Sequence, residues 1–145
     1  MILKNKPGFT LIELMAVIVI LGILATIVAV NVSPILQRAN LEKMRADISQ
    51  VEKALELYRF NEMNYPSTEQ GLEALVIPHS DLKRPYLYPE NGYINSIPQD
   101  PWGREYFYLS PGQQTKKYDI YSLGADGSEG GIGDNIDIGN WVLER

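Results

Sequence analysis

The apolar residues of this chain are concentrated near its amino terminus. From Phe9 to Val30, Glu13 is the only ionisable residue in 22 positions. A helix of that length measures roughly 33 Å and can cross the hydrocarbon core of a bilayer. The run is longer than the apolar region of a cleavable signal peptide and lacks its small-residue cleavage site. We therefore predict a transmembrane helix over residues 9–32, preceded by a short leader, residues 1–8.

The orientation of this span follows from its flanking charges. Lys4 and Lys6 precede the apolar run, whereas most of the chain follows it. Short basic segments stay on the cytoplasmic side of a membrane. The pattern therefore predicts a single-pass protein whose carboxy-terminal part, residues 33–145, lies outside the cytoplasm.

After Asn31 the pattern changes to that of an amphipathic helix. Apolar residues recur at intervals of three and four along one helical face, at Leu41, Met44, Ile48, Val51, Leu55 and Tyr58. Charged residues occupy the opposite face, as expected of a solvated surface. The apolar stripe covers fewer than three heptads, so packing against a following domain is favoured over a coiled coil. We expect this helix to extend to about Glu62.

The remainder of the chain has the pattern of a small α+β domain. Proline and glycine interrupt residues 64–104 every few positions, which leaves room only for short helices such as one from Thr68 to Leu75. The aromatic stretch 86–94 is interpreted as an irregular surface layer. Strand-like composition occurs at residues 104–109, 118–123 and 141–143. The predicted fold is a long amino-terminal helix packed on a small antiparallel β-sheet.

Composition excludes several classes of function. The chain has 145 residues, a net charge of −5 and no block of basic residues, which argues against nucleic-acid binding. It has no cysteine and a single histidine, His79, so it lacks thiolate zinc sites, cysteine nucleophiles and a Ser/His/Asp triad. The carboxylates outside the carboxy-terminal loop are scattered. We therefore expect no enzymatic activity.

A loop near the carboxy terminus combines glycines with carboxylates. Residues 123–141 contain six of the twelve glycines and four acidic residues but no basic one. Such a stretch could be a flexible solvated loop. Its flanking strands and mutually repelling carboxylates favour a bound Ca²⁺, which takes six to eight oxygen ligands. Asp126 and Asp137 are the expected carboxylate ligands, and the partial likeness of their spacing to an EF-hand is interpreted as convergent.

The residues around Glu13 resemble a known processing site. A carboxylate in an apolar span costs on the order of 2.5–3.5 kcal/mol, unless it reaches the headgroups, and it requires a partner. The segment Gly8-Phe9-Thr10-Leu11-Ile12-Glu13 resembles the junction of type IV pilin-like precursors. The resemblance implies cleavage between Gly8 and Phe9 by a prepilin peptidase and N-methylation of Phe9. Glu13 of one subunit would then neutralise the Phe9 ammonium of its neighbour during assembly.

Further segments are similar to one subfamily. Residues 64–72, 97–103, 110–112, 122–127 and 137–141 resemble the major pseudopilins of the type II secretion system, over essentially the whole chain. The resemblance implies a pilin-like fold and the major subunit of a helical homo-oligomeric filament that drives export of folded proteins across the outer membrane. It implies a subunit anchored in the inner membrane, a periplasmic head, and two kinds of partner, minor pseudopilins and an inner-membrane assembly platform. It also implies Ca²⁺ in the loop, held by Asp126, Asp137 and the backbone carbonyls of Leu123 and Ser128.

Two other functions are considered. One is a type IV pilin for adhesion, motility or DNA uptake, although such pilins usually carry a cysteine pair that this chain lacks. The other is a signal-anchored periplasmic enzyme that uses the calcium loop, although catalysis needs titratable groups converging in a cleft.

Overall fold

The structure, a computed structural model, describes residues 8–143, and the side chains of residues 28–33 are outside that description. Lys4 and Lys6 of the predicted leader therefore lie outside the described residues, as do the last side chains of the predicted span. The chain divides into two compact units, Met1–Arg38 and Ala39–Arg145.

The first unit consists mainly of the amino-terminal part of helix α1. Helix α1 runs from Leu11 to Glu62, and Pro34 lies inside it without ending it. The apolar side chains from Leu11 to Ile27 are all exposed. No helix among the described residues combines the length and the apolarity that crossing a membrane requires.

The second unit contains the hydrophobic core. The helical face predicted from the spacing is confirmed, because the α1 side chains from Met44 to Tyr58 on that face are buried, and Leu41 is half-buried. They pack with side chains from the rest of the unit in one cluster, including Leu72, Leu75, Ile94, Tyr106, Tyr108, Tyr118 and Ile120. Packing against the domain, and not a coiled coil, therefore accounts for the apolar stripe.

A three-stranded antiparallel sheet supplies the other side of this core. Strands β1 (Phe107–Leu109), β2 (Asp119–Ser122) and β3 (Ile138–Gly139) lie in the order β1-β2-β3. Tyr108 pairs with Ile120, and Ser122 pairs with Ile138. The predicted α+β fold, a long amino-terminal helix on a small antiparallel sheet, is confirmed.

Two tyrosines tie the sheet to other parts of the unit through their hydroxyls. Tyr108 donates a hydrogen bond to the carbonyl oxygen of Pro66 at 2.9 Å, and Tyr106 donates to Asp47 Oδ2 at 2.9 Å. Burial raises the pKa of Tyr108 to about 12, so its hydroxyl is a donor at neutral pH. Asp47 is one of the charged residues predicted to lie on the solvated face of α1, but it is half-buried and accepts this bond.

The predicted helix from Thr68 to Leu75 is only partly correct. Ser67 and Gln70 form the reciprocal capping hydrogen bonds, with Ser67 N–H donating to Gln70 Oε1 at 2.8 Å and Gln70 N–H donating to Ser67 Oγ at 3.2 Å. The segment nevertheless continues as turns, and only Leu72–Leu75 is helical, as a 3₁₀ helix. Gly71 has φ +61°, a left-handed conformation that stops an α-helix from forming across it.

Two other predictions are wrong. Residues 141–143 belong to a short helix, α2 (Asn140–Leu143), and the last strand is β3, immediately before it. The aromatic stretch 86–94 is not only a surface layer, because Ile94 is buried and the rings of Tyr88 and Tyr93 lie 5.1 Å apart against the core. Apolar composition alone did not distinguish a strand from a helix, or a surface layer from a core layer.

Candidate functional site: the processing junction and the Gly/Asp loop

The predicted cleavage junction is exposed and lies before the first helical residue. Phe9 is 87% exposed, and nothing lies within 4 Å of a Cβ placed on Gly8. Residues 8–10 have no regular structure, and α1 begins at Leu11. A peptidase that binds an extended segment can therefore reach the Gly8–Phe9 bond without unfolding α1.

Glu13 caps the start of α1. Its Oε2 accepts hydrogen bonds from the backbone N–H and from the hydroxyl of Thr10, both at 2.8 Å. In return, the Thr10 hydroxyl oxygen accepts from the Glu13 N–H at 3.3 Å. This is a capping box, a reciprocal arrangement that satisfies two backbone donors of the first helical turn. Glu13 thus has a local structural role in the single chain, which the sequence analysis did not foresee.

The Gly/Asp loop, residues 123–137, connects β2 to β3 and is anchored at its beginning by Arg104. The Arg104 guanidinium donates to the carbonyl oxygens of Gly124 and, at 3.2 Å, Ala125. Asp100, which is buried, accepts from Arg104 N–H at 2.8 Å and from the Ser122 hydroxyl at 2.6 Å. The first carbonyls of the loop therefore have fixed directions.

The end of the loop is held by Asn140 and Trp141. The buried Asn140 amide accepts from Ile120 N–H at 3.2 Å and donates to the Tyr118 carbonyl at 3.2 Å, which attaches the start of α2 to β2. The Trp141 ring lies 5.8 Å from the Tyr121 ring. Both ends of the loop are thus fixed on the sheet.

Two glycines let the loop fold back on itself. Gly124 has φ +67°, and a Cβ there would lie 2.6 Å from the backbone carbon of Asn135. Gly131 has φ +96°, and a Cβ there would lie 2.5 Å from the carbonyl oxygen of Asn135. A larger residue would be strained and would clash at either position, so the way the loop folds back depends on these glycines.

The two predicted carboxylate ligands differ in their surroundings. Asp137 Oδ2 accepts from Gly130 N–H at 2.9 Å, whereas Asp137 Oδ1 is buried and accepts no hydrogen bond within the described residues. Asp126 is exposed, and its Oδ1 accepts from Ser128 N–H at 3.1 Å. A buried carboxylate oxygen without a partner is costly, and such an oxygen calls for a missing donor or cation.

These residues fit a hard cation in part. Over the described part of the chain, no group of three or more acidic, histidine or cysteine side chains is arranged to hold a metal ion. A Ca²⁺ ion would therefore need backbone carbonyls as well as carboxylates, which is common for this ion. The unpartnered Asp137 Oδ1 agrees with such a donor set, whereas the carbonyls of Gly124 and Ala125 already accept from Arg104.

The carboxylates create a negative field at this end of the sheet. Burial raises the pKa of the Tyr121 hydroxyl, and the negative charges of Glu129, Asp119 and Asp137 raise it further. A phenol next to several carboxylates resists ionisation because its anion would be repelled.

Comparison with known proteins identifies the family. The profile described as "Type II secretion system (T2SS), protein G" matches residues 31–141, and the profile "Prokaryotic N-terminal methylation motif" matches residues 3–29. The chain belongs to the type II secretion system protein G family.

Full-length relatives agree with this assignment to the protein G family. Type II secretion system core protein G of Vibrio cholerae is 46% identical over 142 residues, 98% of this chain and 96% of that protein. The protein of the same name from Pectobacterium carotovorum is 49% identical over 141 residues, 97% of this chain and 88% of that protein. The crystal structure of the major pseudopilin from enterohaemorrhagic Escherichia coli covers 72% of this chain and 89% of its own, with 43% identity and a TM-score of 0.61. The resemblance to the type II secretion pseudopilins is confirmed.

Sequence reasoning missed the residues that anchor the loop of this protein G chain. Asp100 lies in the segment 97–103, which was noted only for its likeness to the family, and Arg104 begins the stretch 104–109, which was noted for its strand-like composition. The signal was present in the sequence, because Arg104 follows Asp100 by four residues in a Pro- and Gly-bounded turn. Their distance of about 20 residues from the loop concealed the contact until the fold brought them together.

Proposed function

We propose that this chain is the major structural subunit of a type II secretion pseudopilus, a periplasmic filament that drives export of folded proteins across the outer membrane. The main support is the arrangement of the two profiles along the chain. The methylation motif comes first and protein G follows it, as expected for a processed filament subunit with an amino-terminal membrane anchor. A type IV pilin is the weaker candidate, because the core protein G matches extend over nearly the full length. The proposed role is structural and not enzymatic.

Anchoring in the inner membrane as a single-pass protein, with the head in the periplasm, is part of this proposal. The exposed apolar side chains from Leu11 to Ile27 need to be covered by lipid before assembly or by neighbouring subunits after it. The basic leader residues Lys4 and Lys6 favour a cytoplasmic amino terminus. Prepilin peptidase would cleave the accessible Gly8–Phe9 bond, and the new Phe9 amine would be methylated.

Glu13 is proposed to act in assembly. In the single chain the Glu13 carboxylate accepts hydrogen bonds from the backbone N–H and the hydroxyl of Thr10. When the leader is removed, Phe9 carries an ammonium at the start of the apolar segment. Pairing that ammonium with Glu13 of a neighbouring subunit would remove two isolated charges from an apolar environment, where each is costly.

We also propose that the loop holds Ca²⁺. Asp137 and Asp126 would supply carboxylate oxygens, and the carbonyls of Leu123 and Ser128 would complete the set together with water. The ion would supply the positive charge that the acidic loop lacks. Arg104 and Asn140, by fixing both ends of the loop, would keep these oxygens at a common site.

The proposed partners follow from the same role. They are identical subunits in a helical filament, minor pseudopilins, the prepilin peptidase and the inner-membrane assembly platform. None of these contacts involves nucleic acid, and the net charge of −5 agrees with that.

Deletion of the gene in its own host tests the proposal. Loss of secreted folded proteins from the medium, restored by the full-length chain, is the expected result. Unchanged secretion together with lost adhesion or motility would instead support the type IV pilin alternative.

A further inference from the structure

An open groove of about 1260 Å³ lies along the carboxy-terminal part of α1. Exposed apolar side chains from α1 and the segment that follows it line the groove, namely Leu57, Phe60, Met63 and Leu87. Phe60 is 80% exposed, although a single phenylalanine side chain in water is unfavourable. These exposed apolar side chains gather around one groove, which makes the groove a candidate interaction surface.

The groove is preformed by polar contacts behind it. Glu62 is buried, and its Oε2 accepts from the backbone N–H groups of Lys83 at 2.8 Å and Arg84 at 3.2 Å. Asn61 donates to the Leu87 carbonyl at 3.0 Å. These bonds fix the wall formed by Arg84 and Leu87 against the end of α1, so a partner would meet an ordered surface and lose less entropy on binding.

The charged residues that line the groove have an excess of positive charge. The lining contains Lys53, Arg59, Arg84 and Lys117 but only two carboxylates, Glu52 and Glu56. Arg59 and Lys117 both pair with Glu56. Lys53 and Arg84 have no ion-pair partner within residues 8–143. A partner that carries carboxylates beside an apolar side chain would complement this surface.

The Gly/Asp loop of the same protein has that chemistry. Ile132 is 87% exposed, and Glu129 and Asp134 lie on either side of it in the chain. Neither carboxylate belongs to the proposed calcium ligand set, and neither forms an ion pair in the described part of the chain. Both therefore remain available for a partner whether or not the ion is bound.

The Gly/Asp loop does not line the groove of its own subunit. Tyr118 lines the groove just before β2, whereas the Gly/Asp loop leaves the opposite end of β2, where Ser122 pairs with Ile138. At about 3.3 Å per residue, the five residues from Tyr118 to Leu123 span about 16 Å. Because the groove and the loop lie at opposite ends of the strand, the loop of one subunit binding in the groove of the next would join subunits head to tail. A head-to-tail contact can repeat to form an open filament.

We propose that, in the assembled filament, the Gly/Asp loop of one subunit docks in the groove of a second copy. Ile132 would enter the apolar groove against Phe60 and Met63, and Glu129 and Asp134 would approach Lys53 and Arg84. This inference rests on the proposed function, because it assumes that the chain forms a filament, and it specifies which surfaces meet.

Cysteine crosslinking in the full-length protein tests the contact, because the chain has no cysteine of its own. Mild oxidation of membranes carrying Met63→Cys with Ile132→Cys is expected to give a ladder of dimers, trimers and longer species. The matched control is Ile77→Cys with Ile132→Cys, since Ile77 is exposed but does not line the groove. The control pair and each single variant are expected to give no ladder.

Charge reversal provides an independent test. In the crosslinking pair, Lys53→Glu with Arg84→Glu is expected to abolish the ladder, and so is Glu129→Lys with Asp134→Lys. Combining all four reversals should restore it, because the complementarity is then inverted and not lost. Restoration would not occur if the reversals acted only by destabilising the head.

The outcomes separate this inference from the proposed function. Filaments and secretion without a ladder from the Met63/Ile132 pair, or with an equal ladder from the control pair, would overturn the docking contact and leave the filament role intact. Crosslinked dimers without longer species, or crosslinks to a different protein, would overturn it as well. If the unaltered chain forms no filament in a secreting cell, the proposed function fails and this inference fails with it.

Discussion

Asp137 provides the sharpest test of the calcium proposal, because its buried Oδ1 has no partner within the described residues. We predict that Ca²⁺ stabilises the second unit, residues 39–145, and that Asp137→Asn removes this effect. The asparagine oxygen can still accept from Gly130 N–H, as Asp137 Oδ2 does at 2.9 Å. The substitution therefore removes the charge and one carboxylate ligand while it keeps the local hydrogen bond.

The expected magnitude follows from linkage. An ion at 100 times its dissociation constant stabilises the folded state by about 2.7 kcal/mol if it binds only that state. A domain of about this size gains roughly 4–8 °C in Tm per kcal/mol, so the expected shift is about 10–20 °C. In chelator, the variant is expected to unfold no lower than the unaltered protein, because the buried group without a partner is then a neutral amide and not a charged carboxylate, which costs more to bury.

Thermal unfolding followed by circular dichroism, in millimolar Ca²⁺ and in chelator, measures both effects on the fragment 39–145. Every buried core residue in the described part of the chain belongs to this unit. Asp134→Asn is the matched control, since Asp134 is an exposed carboxylate of the same loop outside the proposed ligand set. An equal Tm with and without Ca²⁺, after metal analysis has verified removal of the ion, would refute the reasoning. The reasoning would also be refuted if Asp134→Asn lost the Ca²⁺-dependent rise in Tm to the same extent. The rise would then be due to general screening of the loop's negative charge.

Three further predictions concern processing, assembly and pH. Intact-mass measurement of the membrane-extracted protein should show loss of residues 1–8 and a methyl group on Phe9, and retention of the leader in peptidase-positive cells would contradict this. We expect three variants to be processed and inserted but not assembled, namely Glu13→Ala, Glu13→Lys and Glu13→Gln. Glutamine can still accept the hydrogen bonds of Thr10. If Glu13→Gln alone secreted normally, the role of Glu13 would be to cap α1 and not to supply a charge. Asp119→Asn should lower the free energy of unfolding by about 2–3 kcal/mol at pH 7, because one amide oxygen cannot replace two carboxylate oxygens that accept from the backbone N–H groups of Gln113, Gln114 and Thr115. Burial alone would raise the pKa of Asp119, but the three donors lower it overall. The stability that Asp119 contributes is therefore present above its unfolded pKa of about 3.9 and is lost as the pH falls through its lower, folded-state pKa. A difference in stability between the unaltered protein and Asp119→Asn that persisted undiminished at low pH would contradict the assignment.

Local patterns in the sequence determined the long helix and its buried face. The 3.6-residue period places Met44, Ile48 and Leu55 on one side whatever follows in the chain, and all three are buried. The junction at Gly8 and Phe9 and the run of glycines and carboxylates were likewise readable, because each depends on neighbouring residues. The family resemblance also depended on short segments of neighbouring residues, such as 97–103 and 122–127.

The tertiary structure alone decided the contacts between distant segments. Only the fold brings Arg104 to the carbonyls of the Gly/Asp loop, joins Asn140 of α2 to β2, and brings Asp47 to the Tyr106 hydroxyl. The short carboxy-terminal helix was misread as a strand because apolar residues 141–143 suit either structure, and the choice depends on packing against β2. The groove beside Phe60 could not be predicted from the sequence. Whether an apolar residue outside the predicted buried face of a helix is exposed depends on how other segments pack around it, and that is known only from the folded structure. Hydrogen bonds and surfaces formed between remote segments depend on how the chain folds, so the local periodicity of the sequence does not predict them.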